Sequence, residues 1–157
     1  MKPTRGYTLI ELMIAITIIS IVVSMGISAY GRAQDKQIGQ SAAEQIVSVL
    51  KKNQTIASIG AKDCTGKFVG QQVSIIADTN ELSAKSLCDT NPPDGAIVTT
   101  SIPGILFTSS YTIIFNPLSL GAALTSNPLQ IAFKNVTGTI YSIRIHSSGT
   151  IENLGIQ

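Results

Sequence analysis

Gly6-Tyr7-Thr8-Leu9-Ile10-Glu11-Leu12 joins a short basic leader, which carries Lys2 and Arg5, to an uncharged apolar run over residues 12–31. About 20 apolar residues in a helix cross the ~30 Å hydrocarbon core of a bilayer, so this run has the length of a membrane span. The junction therefore sets one carboxylate, Glu11, at the mouth of that helix. A carboxylate held at the centre of a membrane helix costs on the order of 2.5–3.5 kcal/mol, and an acid so placed calls for a counter-ion.

Residues 1–6 are too few and too polar to form structure of their own, and they end on Gly6, whose lack of a Cβ lets a protease hold the backbone extended. Cleavage after Gly6 creates an amine on Tyr7. That amine lies one helical turn from Glu11, roughly 6 Å along the axis. A neighbouring subunit displaced by about this much could place its own Tyr7 ammonium against Glu11 and neutralise both charges.

These residues resemble the class III leader junction of type IV pilins and type II secretion pseudopilins. The resemblance implies that a membrane-embedded prepilin peptidase cuts after Gly6 and methylates the new N-terminus at Tyr7. It further implies that Glu11 guides docking against other pilin or pseudopilin subunits, at an inner-membrane assembly platform. Tyr7 stands where the family usually has Phe, and the apolar helix lacks the proline common there. Two other readings of the N-terminus are a plain single-pass anchor, with Glu11 only stabilising the helix dipole, and a secretory signal peptide cut near Ser24-Met25-Gly26. A carboxylate at the head of the apolar core does not suit the latter.

The formal net charge of +2 in 157 residues is accounted for by Lys2 and Arg5, so the chain beyond the leader is balanced. This argues against nucleic-acid binding through bulk charge. Mean hydropathy is +0.31, inflated by the membrane-length run and by an apolar, Ser/Thr-rich C-terminal half. The positive flank places the N-terminus in the cytoplasm and the body outside, a single pass in the inner membrane in contact with lipid. Cys64 and Cys88, the two cysteines, fit a disulfide in that oxidising space, with a pair of free buried thiols as the alternative. Two cysteines and one distant histidine make a poor metal site, and no cofactor motif is present.

After Gly31 the helical period continues while the residues turn polar. Ile46, Val49, Leu50, Asn53, Ile56 and Ala57 recur at three-and-four spacing, with Glu44, Ser48, Lys51 and Lys52 opposite, and Gly60 is a credible stop. Residues 7–31 are thus expected to be a transmembrane helix half, 32–60 an amphipathic extracytoplasmic half, and 61–157 a β-rich globular head. Strands are expected over 68–77, 96–102, 105–115, 129–133, 139–147 and 150–154, divided by turns rich in Asn, Pro and Gly. Tyr141, Ile143 and Ile145 alternate toward the core, and residues 78–89 read as a loop or short helix fastened by Cys88. The fold class is α+β: a long N-terminal helix packed on a small antiparallel β-sheet domain, pilin-like.

The closing hairpin, with Phe115-Asn116-Pro117 before it, is similar to H-type minor pseudopilins and their minor pilin counterparts. Some pilus members of that group bind DNA near the final hairpin, but here the turn Ser147-Ser148-Gly149-Thr150 has no arginine cluster. Catalysis would have to use His146, the sole histidine, beside Ser147 and Ser148, with no nucleophile elbow. The sequons at Asn53 and Asn135 match a pattern common by chance. The reading is a structural subunit, not an enzyme, with a membrane-tethered extracytoplasmic binding domain as the alternative.

Overall fold

The computed structural model describes residues 8–60, 64, 66–89, 95–118 and 121–157, without the side chains of 25–29 and 32. Gly6 and Tyr7 lie outside the described residues. A single helix, α1, runs Leu9–Ile59, and the chain divides into two compact units, Met1–Lys36 and Gln37–Gln157. In the first unit the described residues from Leu9 onward are helix, with large aliphatic side chains exposed all round it.

In the second unit α1 buries one stripe, Ala42, Ala43, Ile46, Leu50, Asn53 and Ala57, the three-and-four spacing of an amphipathic helix. It ends where Gly60 takes a φ of +88°, a left-handed conformation open to glycine, and donates its N–H to the Ile56 carbonyl at 3.0 Å. Nine strands follow among the described residues: β1 (Phe68–Ile75), β2 (Glu81–Cys88), β3 (Val98–Ser101), β4 (Ile105–Phe107), β5 (Tyr111–Phe115), β6 (Ala122–Ala123), β7 (Leu129–Asn135), β8 (Ile140–Ile145) and β9 (Ile151–Ile156).

These strands form two antiparallel sheets, where one was expected, in the orders β3-β2-β1-β5-β6 and β4-β7-β8-β9. Val73, Ile75, Leu82, Ile113 and Phe115 of the first sheet join Phe107, Ile131, Phe133, Tyr141 and Ile143 of the second and the helix stripe in one hydrophobic core. Phe133 stacks on Tyr141 with centroids 5.6 Å apart and meets the edge of Phe107 at 6.3 Å.

Two expectations are corrected. Residues 78–89 are not a loop or short helix, because Glu81–Cys88 is a central strand of the larger sheet. Its Ala, Ser and Lys are poor strand formers, but Leu82, Ala84, Ser86 and Cys88 alternate inward, and pairing on both sides overrides propensity. Residues 105–115 are not one strand: β4 joins β7, β5 joins β1, and the chain changes sheet at the exposed Ser109-Ser110. Phe107, Ile113 and Phe115 keep the same alternation across that corner, so period alone does not reveal it. Tyr141, Ile143 and Ile145 are buried as their alternation predicts, although Ser142 between them is buried too.

Candidate functional site

The N-terminus of α1 is closed by a reciprocal pair. The Thr8 N–H donates to Glu11 Oε2 at 3.4 Å, the Thr8 hydroxyl donates to the same oxygen at 3.4 Å, and the Glu11 N–H returns to Thr8 Oγ1 at 3.3 Å. A Thr three residues before a Glu is a capping box, which satisfies N–H groups that the helix leaves open. This cap went unread in the sequence, where its signal is the Thr8-x-x-Glu11 spacing itself, and it gives Glu11 a local partner besides any on another molecule. Both side chains are exposed and the bonds are long, so the carboxylate remains accessible.

Beyond the cap, Leu12, Met13, Ile14, Ile16, Ile18, Ile19, Ile21, Val22 and Val23 are all more than half exposed. A helix that is apolar around its whole circumference is stable only in lipid or among other apolar surfaces. The hydroxyls within this stretch are turned inward on the backbone: Thr17 donates to Ile14 O at 2.8 Å, Ser20 to Ile16 O at 2.8 Å and Ser24 to Ile21 O at 2.8 Å. Such back-bonding removes the need for water at each polar side chain. Among the described residues no helix is long and apolar enough to cross a membrane. Side chains 25–29 of the apolar run lie outside the described residues, and its uncharged sequence continues to Gly31.

Cys64 and Cys88 form a disulfide with Cα atoms 5.6 Å apart, tying the segment after the helix to the end of β2. Both sequon asparagines are structural. Asn53 is buried and its Oδ1 accepts from Gln71 Nε2 at 3.0 Å; Asn135 is buried and its Oδ1 accepts from the N–H groups of Thr137 and Thr139, at 3.1 and 2.8 Å.

The final hairpin is likewise engaged. Gln54 donates to Gly149 O at 2.9 Å, Ser147 Oγ accepts from Asn127 Nδ2 at 2.9 Å, and Ser148 Oγ meets Thr150 Oγ1 at 3.1 Å. His146 Nε2 faces Glu152 Oε2 at 3.6 Å, and Arg144 is paired in register with Glu152. The hairpin thus sets the Glu152 carboxylate beside His146 and opposite Arg144 in register, which weakens it as a phosphate-binding surface. Among the described residues no group of three or more His, Cys, Asp or Glu side chains is gathered to hold a metal.

Comparison with known proteins singles out the same N-terminal stretch. Residues 1–27 match the family described as the prokaryotic N-terminal methylation motif. The chain carries a class III leader. This is consistent with the type IV pilin and pseudopilin family, and the helix packed on antiparallel strands is compatible with a pilin-like fold. Pilin-type proteins with this leader are structural rather than catalytic. No curated protein and no solved structure matches the chain significantly.

Proposed function

We propose that this chain is a structural subunit, of minor type, of a type IV pilus or type II secretion pseudopilus. The observation that carries the reading is the methylation motif over residues 1–27, leading into a helix that over residues 12–23 exposes large aliphatic side chains all round. The leader supports processing by prepilin peptidase, with the cut after Gly6 and the methyl group on the Tyr7 amine. The subunit waits in the inner membrane, N-terminus inward and body outside, and leaves it by packing its helix among those of other subunits.

Glu11 directs that transfer. In the free subunit its carboxylate is held by Thr8 over the helix mouth. During docking the Tyr7 ammonium of a neighbour replaces or joins Thr8, because a charged donor in a low-dielectric setting outweighs long neutral hydrogen bonds.

The test is made in cells that possess the peptidase. Intact-mass measurement is expected to show loss of residues 1–6 and gain of one methyl group, and the processed chain is expected to sediment with sheared filaments. Glu11→Ala should leave cleavage intact yet reduce incorporation by at least about tenfold, the equivalent of ~1.4 kcal/mol in docking. Normal incorporation of that variant would refute the ammonium pairing, and a polypeptide that still begins at Met1 would refute the subunit itself. A processed chain that never enters filaments would instead indicate a tethered binding domain.

A further inference from the structure

The edges of the two sheets are not built alike. β3 ends the larger sheet, and its four residues, Val98, Thr99, Thr100 and Ser101, include no charge, no proline and no register shift against β2. Natural sheets blunt such edges, because a row of open N–H and C=O groups templates another strand. Elsewhere this chain follows that practice: β6 has two residues, β4 has three, and β9 carries Glu152 and a register shift against β8. Among the described residues, β3 pairs with β2 on one side and with no strand on the other.

A cleft of about 280 Å³ opens on the inner face of this edge, between α1 and the sheet. Val49 and Ile56 of the helix form one wall, Val98 the rim, and Leu82 and Ala84 part of the floor. Deeper in, Asn53, Gln71 and Ser86 are joined by hydrogen bonds of 3.0 Å each, so the polar floor is already internally satisfied. Register places Val98 opposite Ala84 and Thr100 opposite Leu82, so the inner-face residues of β3 share the cleft side. Val98 is nevertheless 59% exposed, since the helix does not cover it. A strand laid along β3 would continue the row about 4.8 Å further out and turn every second side chain toward this cleft. Lys52, exposed on α1, is the charged residue in the lining.

We infer that β3 receives an extended segment of a partner protein as an added strand, with alternate aliphatic side chains over the cleft and a carboxylate facing Lys52. Main-chain hydrogen bonds supply affinity in this mode, and the cleft and the lysine supply selectivity. A second copy of β3 fits less well: it carries one aliphatic side chain and no acid, which leaves Lys52 unanswered. The inference does not depend on the leader or on filament assembly.

The test uses the full chain in detergent micelles and a short acetylated peptide of alternating valine and threonine ending in glutamate. At peptide concentrations ten times its dissociation constant, amide exchange at Thr99 and Ser101, whose N–H groups face away from β2, should slow on the order of tenfold. Amides of β8 should be unaffected. The same peptide with alternate backbone nitrogens methylated should give no slowing, nor should the parent peptide with a Val98→Lys chain whose remaining spectrum is unchanged. The inference is overturned by absence of slowing with the parent peptide, or by equal slowing with the methylated one. It is also overturned by protection that appears without peptide and grows with protein concentration, which would assign the edge to a second copy.

Discussion

A methyl group at Gly39 has no room, because a Cβ there would overlap the ring of Tyr141, which is itself buried and stacked on Phe133. Two effects oppose each other in Gly39→Ala. Helix propensity favours alanine by about 1 kcal/mol, while overpacking a filled core costs about 1–3 kcal/mol. Since the ring is held between its stacking partner and the helix, overpacking is expected to win and the thermal midpoint of unfolding to fall; a rise would mean that the ring yields. At the N-terminal end of the helix, Thr8→Ala removes one half of the cap and should weaken the first turn by ~1 kcal/mol, whereas Thr8→Ser should retain it. Faster amide exchange at residues 9–12 in the alanine variant alone is the expected readout. Unchanged exchange would mean that the Thr8–Glu11 bonds contribute nothing in solution.

Among the elements, β2 and the helix face opposite it are joined through β1 by a buried polar chain. Asn53 Nδ2 donates to Val49 O at 2.8 Å, Gln71 Nε2 donates to Asn53 Oδ1, and Ser86 Oγ donates to Gln71 Oε1. All three side chains are buried, so a partner lost is not replaced by bulk water. Gln71→Ala should therefore destabilise the domain by about 1–3 kcal/mol, the penalty of leaving buried groups unsatisfied. Exchanging all three residues for apolar ones of similar shape should recover much of that loss. Urea midpoints of the single and triple variants make the comparison, and an equal loss in both would attribute the effect to packing instead. The same chain explains why β2 was hard to read. Ser86 and Ala84 look like loop residues until Gln71 and the helix are placed over them.

For the whole molecule, the Cys64–Cys88 bond closes a separation of 24 residues between the helix exit and the larger sheet. A loop of that size stabilises the folded state by roughly 3–4 kcal/mol through the entropy it removes from the unfolded chain. Replacing both cysteines by serine should lower the denaturation midpoint correspondingly, and the unmodified exported chain should show no free thiols until it is unfolded and reduced. Two titratable thiols without reductant would contradict the bond. A folded variant with an unchanged midpoint would mean that the unfolded chain is already restricted there.

The methylation-type motif, with a carboxylate ahead of an uncharged run, was legible in the sequence because it depends on neighbours in the chain, whereas the Thr8 cap went unread although its signal is equally local. The lower half of α1 and its end at Gly60 were legible for the same reason, since helical periodicity and a left-handed stop are local properties. The partition of the strands into two sheets was not. Ser109-Ser110 changes sheet without disturbing the alternation on either side, and β2 earns its strand conformation from β1 and β3 rather than from its own residues. Nor could spacing show that Asn53 and Asn135 are locked in hydrogen bonds, or that β3 would be left as an unprotected edge beside a cleft. Sequence order sets what each residue meets within a few positions; which distant strands cover it, and which edge they leave open, is settled only when the core closes.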